Sequence, residues 1–352
     1  MSETDLPKTE SYRGLYTTIG ILVGLYVVAV FVLAIWWSQE PAPFNVYDEA
    51  VKRLKVTQTE KMPVGYTYAN TLAHIAEVIL YKPGGYLSND VAPPGVLLDN
   101  IPNWELGALV MLRDATTALR NHFARDQSQS AEDPDLAKAE PYFYYERNSW
   151  ALPSTEAEYS KGIEALHRYM GRLQDEKARV PANFFVRADN LWQYIEIVIK
   201  RLGGLSTRLT ASTLLEGENR ILAPGVFEDP RQLGEQERSI MEENQTRSLK
   251  RTTFFQIDDI FYEARGASWA LLHILKATEH DFQSILFDKR AMNTVDIIIS
   301  SMERSLGPVL SPLFILNGTG YGLFANYSLT MANYIARANA AALDLRDLMN
   351  RG

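Results

Sequence analysis

From Leu15 to Trp37 the chain reads LYTTIGILVGLYVVAVFVLAIWW, 23 positions without a charged residue. As a helix this stretch is about 34 Å long at 1.5 Å per residue, enough to cross a bilayer core of about 30 Å. Trp36 and Trp37 stand at its end, where amphipathic aromatic rings favour the headgroup layer. A cleaved leader is the competing reading. Its apolar segment is usually about 7–15 residues and ends in small residues, not in two tryptophans. The pattern predicts a transmembrane anchor over 15–37, a tail over 1–14 and a large body after it.

Past a proline-punctuated stalk, EPAPFN, the apolar positions recur at helical spacing. Residues 46–60 read as a charged helical lead-in. Ala69, Leu72, Ala73, Ala76, Ile79 and Leu80 mark a helix over 64–81, stopped by Pro83, Gly84 and Gly85. A second helix is expected over 103–123, and Thr155-Glu156-Ala157-Glu158 reads as a capping box opening a third that ends near Leu173. Pro181 starts the next, which Gly203-Gly204 interrupts or ends. Helices follow near 255–286, 290–305 and 324–349. No segment alternates apolar and polar residues as a half-buried strand does, so the fold class is all-α.

Two long loops rich in Pro, Gly and Asn, 83–102 and 307–323, each lead into an amphipathic helix with an internal arginine, Arg113 or Arg337. Residues 214–250 carry many charges and amides with almost no apolar period. They divide the body into a first helical half, 38–213, and a second, 251–352, that packs on it across an exposed linker.

Charge settles one class and leaves orientation open. With 35 Lys and Arg against 43 Asp and Glu the net charge is −8, which argues against nucleic acid as a partner. Lys8 and Arg13 precede the span, while Glu40, Asp48 and Glu49 come before Lys52, Arg53 and Lys55 after it. The immediate flanks put the N-terminus in the cytoplasm, whereas a 20-residue window on each side reverses the bias. The first reading is preferred. The chain has no cysteine, which is compatible with an oxidising compartment.

Several constellations invite a chemical reading. Asp259, Glu263, Gly266, Ala270 and His273 lie on one helical stripe, the pattern of an acid/base or metal site. The same small residues would equally permit close helix packing, with the carboxylates paired to neighbouring arginines. Arg265 and Arg337 sit in Ala/Gly surroundings and are candidates for an anionic ligand, or for a buried ion pair with Asp258, Asp259, Asp114 or Glu105. Glu164 and His167 have Glu-x-x-His spacing, but a di-iron site needs a second such motif, and no other histidine has Glu three residues before it. Gly318, Gly320 and Gly322 resemble a phosphate turn without the surrounding βαβ unit. Gly20 and Gly24 form a GxxxG motif through which two spans could dimerise. No cofactor and no metal are expected.

The strings KPGGYLSNDVAPPGVLLDNIPNWELG, QSQSAEDPDLAKAEP, NSWALPSTE, FYEARGASWALLH and LNGTGYGLFANYSLTMANYIARANAA resemble a bacterial family catalogued as domain of unknown function 2333. The resemblance covers nearly the full length and implies a proteobacterial inner-membrane protein. It supplies no catalytic residues. It makes the glycosylation sequons at Asn244, Asn317 and Asn326 chance matches. The expected protein is a single-span envelope scaffold with a periplasmic body. It would meet the lipid bilayer and another envelope protein, with loops 83–102 and 307–323 as docking surfaces. An envelope hydrolase or metal enzyme using Asp259, Glu263 and His273 is the first alternative. A module for an anionic small molecule or cell-wall fragment, using Arg265 or Arg337, is the second.

Overall fold

The apolar run forms helix α1, Glu10–Trp37, in the computed structural model, which describes residues 10–55, 62–126, 131–175, 177–213, 256–309, 315, 317 and 325–351. Within it Gly14–Trp37 is long and apolar enough to cross a membrane, and none of its most apolar window is buried against protein. Helices α2 (Val46–Leu54) and α3 (Tyr66–Tyr81) follow. Asn45 caps α2, its Oδ1 accepting from the Tyr47 and Asp48 amides. Gly65, at φ +80°, opens α3 where a side chain would run into Phe184.

Helix α4 (Asn100–Ala118) begins three residues before its expected start, and ends in one π turn, Leu119–Phe123. A short helix unseen in the apolar pattern, α5 (Leu136–Phe143), precedes α6 (Thr155–Gln174). The cap of α6 is Ser154, one residue before the expected Thr155. Thr155 instead turns its hydroxyl to the Glu146 and Ser149 carbonyls, and Glu158 pairs with Lys161.

The next helix, α7, spans Ala188–Ala211. It starts seven residues after Pro181, because the Phe185 amide donates to the Phe123 carbonyl and Asn190 holds the Phe185 carbonyl, keeping the segment extended. It also passes straight through Gly203-Gly204. Two mid-helix glycines cost about 1 kcal/mol each relative to alanine. Packing along α11 (Tyr327–Asn350) outweighs that cost.

The helix expected over 255–286 is two, α8 (Ile257–Asp281) and α9 (Gln283–Asp288), broken at buried Phe282. Helix α10 is Met292–Ser305. Among the described residues there are eleven α-helices and no strand beyond one isolated bridge between Asn317 and Asn326. The expected linker 214–250 and most of loop 307–323, with Gly318, Gly320 and Gly322, lie outside the described residues.

Helix α8 is the axis of the body. From Ala264 to Leu275 every residue is buried, on all sides, as befits a helix enclosed by others. It packs against α3, α4, α7, α10 and α11, so elements from both sides of residues 214–250 share one hydrophobic core. The closest crossing is with α4. There a β-carbon on Gly266 would lie 1.9 Å from the Trp104 carbonyl oxygen, and one on Gly107 1.9 Å from that of Glu263. The indoles of Trp104 and Trp269 pack beside this contact, 5.0 Å apart.

Because the obstruction at Gly107 and Gly266 is backbone, no side-chain rotation relieves it. Either residue changed to alanine should lower stability by about 1–3 kcal/mol or more. Gly204→Ala, with nothing within 4 Å of the new methyl, should be neutral or stabilising. Urea midpoints of the full chain in micelles check this contrast. Equal effects at 204 and 266 would contradict the close crossing.

Candidate functional site

Glu40-Pro41-Ala42-Pro43 contains two X-Pro steps. Proline disfavours the α conformation of the residue before it, so Glu40 and Ala42 are driven extended and the helix of α1 cannot continue. Two extended residues advance about 6–7 Å, close to the roughly 6 Å that four helical residues rise. Alternate residues of an extended strap can therefore match every fourth residue of a helix, and here they do.

Residues 38–45 lie along α8 in the same direction. Glu40 receives a bidentate pair from Arg265, Nε at 2.6 Å and an Nη at 2.7 Å. The Ala42 carbonyl accepts a long bond from Trp269 Nε1, 3.4 Å. The Phe44 amide donates to His273 Nε2 at 2.9 Å, while the Phe44 ring stacks on that imidazole, 3.8 Å between centroids and 7° from parallel. The His74 ring packs against Phe44 nearly at right angles, with centroids 4.4 Å apart.

Arg265 is almost wholly buried and its remaining nitrogen donates to the Gly307 carbonyl at 2.9 Å, tying in the end of α10. His273 is fully buried. Its Nδ1 lies 2.6 Å from the Trp269 carbonyl, so that nitrogen carries the proton and Nε2 keeps the lone pair that Phe44 needs. Burial lowers the His273 pKa to about 3, against a smaller upward pull from the Trp269 carbonyl. The imidazole is thus neutral at ordinary pH and acts as an acceptor.

The acid/base stripe does not converge. Glu263 and His273 are ten residues apart, about 15 Å along the helix, and Asp259 and His273 about 21 Å. Glu263 is held by both terminal nitrogens of Arg208 on α7, one at 2.7 Å. Asp259 accepts from Asn103 at 2.6 Å. Burial and the nearby carboxylates of Asp258, Asp99 and Glu263 push Asp259 above its ordinary range. Among the described residues no group of three or more His, Asp or Glu is arranged to hold a metal. The cleft beside Glu263, about 280 Å³ between α4, α7 and α8, is lined by Arg201 and Arg208, but both guanidiniums already face carboxylates, Asp114 and Glu263.

None of the four carboxylates expected for Arg265 is its mate. Asp114 pairs with Arg201, Glu105 with Lys82, Asp259 with Asn103, and Asp258 accepts from the Asp259 amide. The true mate lies 225 positions away in the stalk. Arg337 is exposed on α11 rather than drawn into a buried pair, so it does not parallel Arg113, which holds the Phe143 and Tyr145 carbonyls. Glu164 is exposed, and His167 turns from it to Glu77, 3.2 Å away. Gly20 and Gly24 are exposed with nothing within 4 Å of a β-carbon.

Two polar centres escaped the sequence reading. Glu77 gathers Arg53, His74 and His167. Burial pushes its carboxyl up, but hydrogen bonds from both histidines and Arg53 outweigh that and hold it well below the usual range. Glu105, fully buried, binds Lys82, the Leu87 and Ser88 amides (both 2.9 Å) and the Ser88 hydroxyl (2.6 Å). The signals were faint: a lone Glu in the apolar run of α3, and a lone Lys before Pro-Gly-Gly.

Removing one member of a buried pair costs about 3–5 kcal/mol; Glu40 is partly exposed, so the lower end is expected for Arg265→Met and for Glu40→Gln. Arg265→Lys should recover only part, and the double change should cost less than the sum. Urea unfolding of the full chain measures all four. A midpoint shift worth less than about 1 kcal/mol for Arg265→Met would contradict a structural role and favour ligand binding.

No curated protein and no solved structure matches this chain. One family model does, over residues 10–352, nearly the whole length and including the strap, α8 and α1. The chain therefore belongs to the family described as an uncharacterized protein conserved in bacteria, DUF2333.

Proposed function

We propose that the protein is a non-enzymatic scaffold of the bacterial envelope. Its single span crosses the inner membrane, with the N-terminus in the cytoplasm and the body in the periplasm. The observation that carries this reading is the strap. Residues 38–45 join α1 to the central helix by an ion pair, backbone hydrogen bonds and ring stacking, where a free tether would be polar and uncommitted. Such a mount holds the body at a set height and tilt above the bilayer, a property useful to a protein that positions a partner. The partner class is another envelope protein, and Gly20 and Gly24 offer a route to a dimer through the span.

The enzyme reading has less support, because Asp259, Glu263 and His273 are each engaged by different neighbours along α8. The anionic-ligand reading is weakened in the same way at Arg265, whose donors are spent on Glu40 and the Gly307 carbonyl.

Alkaline phosphatase fused after Gly352 should be active in cells, and a reporter that works only in cytoplasm should be silent there. The opposite pair of results would reverse the orientation. Photo-crosslinking of the full chain in native membranes should capture one recurrent envelope protein in stoichiometric amount. Recovery of the chain alone from every exposed position would count against a scaffold.

A further inference from the structure

The body carries exposed apolar side chains where a water-soluble surface would not. Loop 83–99 displays Val91, Val96 and Leu97, 66%, 53% and 67% exposed. The neighbouring loop 147–153 displays Trp150 at 66% and Leu152 at 99%. Scattered apolar residues on a surface need no explanation. These five sit on two loops fastened to each other. Tyr86 donates to the Arg147 carbonyl at 3.0 Å, and Asn89 donates to the Ser149 carbonyl at 2.8 Å and to Glu156 at 3.0 Å. Neither loop is free to fold its apolar residues inward. Buried Glu105 grips the Leu87 and Ser88 amides, and Gly95 is pressed so closely on Asp90 that a β-carbon there would overlap its carboxylate.

Their place relative to α1 identifies what covers them. The 3₁₀ turn Gly95–Leu97 packs against α1, and Trp37 lies over Gly84. Along most of α1 the side chains are exposed, but Leu33, Ala34 and Trp37 near its end are half-buried. A 24-residue apolar helix is about 36 Å long against a hydrocarbon core of about 30 Å, so these last turns lie at the boundary between hydrocarbon and headgroups. Residues 95–97 are level with them.

We infer that the tips of loops 83–99 and 147–153 form a wedge that inserts into the bilayer leaflet around the end of α1. The occupant is lipid, recognised by apolar contact. Residues 83–102 contain no lysine or arginine and loop 147–153 has one, Arg147, set against Asp90 and Asp99 of the first loop, so attraction to anionic headgroups contributes little beside apolar contact. This replaces the expectation that loop 83–102 docks a protein. The inference rests on α1 being a membrane span and adds a second, independent point of attachment, which together with the strap sets the tilt of the body.

The chain has no cysteine, so a single one reports its own position. Leu97→Cys and Leu152→Cys, each carrying a fluorophore, are compared with Val28→Cys in α1. The full chain is reconstituted into vesicles of phosphatidylethanolamine and phosphatidylglycerol containing nitroxide-labelled lipid. Lipid quenching at 97 and 152 should lie within about twofold of that at 28. It should be unchanged between about 0.05 and 0.5 M salt, which screens charge but not apolar contact. Quenching at 28 but not at 97 and 152 overturns the wedge and leaves the span intact. No quenching at 28 removes the span reading and the wedge with it. Labels at 97 and 152 protected from both lipid-borne and aqueous quenchers mean that protein covers the tips, and that also overturns the proposal.

Discussion

The strap that joins the apolar helix to the central helix of the body depends on the pairing of Glu40 with Arg265. Arg265 is a buried cation on the central helix, and an unpaired charge there would cost more than any single apolar contact nearby returns. Its planar fork fits a carboxylate in two parallel bonds, and the strap supplies one from Glu40. Once Glu40 is held, the two prolines leave the next four residues almost no choice but to lie along α8. Ala42 then reaches Trp269, and Phe44 reaches His273. The third nitrogen of Arg265 extends the same fastening to the end of α10. One side chain thus links the exit of α1, the axis of the body and a peripheral helix.

The rest of the architecture protects that axis by similar means. Gly107 and Gly266 let α4 and α8 approach until their backbones touch, which seats Trp104 against Trp269 immediately beside the strap. Glu105, next to Trp104 on α4, uses its buried carboxylate to hold loop 83–99 in place through Lys82 and two amides. Asp281, at the far end of α8, accepts from the Tyr68 amide at the start of α3. In each case a carboxylate near a helix or loop terminus satisfies donors that would otherwise be stranded in the core. These polar groups contribute position more than net stability, since their desolvation offsets much of the attraction.

How far the sequence disclosed this structure depended on the range of the interaction. The uncharged run ending in Trp36 and Trp37 and the apolar periods of α3, α4 and α8 are local signals, and they became helices close to where the pattern put them. Close packing at Gly266 was legible because small residues at helical spacing have few other uses. Helix α7 running through Gly203-Gly204 was not, because partnership with α11 overrides local propensity. Nor was α5, eight residues long with Pro141 inside it. The mate of Arg265 was the hardest to see. Spacing along one helix shows that a buried arginine needs a carboxylate but not which of 43 acidic residues supplies it. His273 fell in an acidic stripe by helical angle, yet the rise of the helix kept it far from Asp259 and Glu263, and its partner came from the stalk.

The Phe44 backbone amide reports the docked strap most directly, because its acceptor is the buried Nε2 of His273. Amide hydrogen exchange of the full chain, resolved at Phe44, separates a docked strap from a free tether. Protection within about tenfold of the slowest amides of α8 is expected, since opening the strap exposes the Arg265 pair as well. Exchange at the rate of an unstructured peptide, with α8 still protected, would contradict a body locked to its helix and leave α1 as a flexible leash.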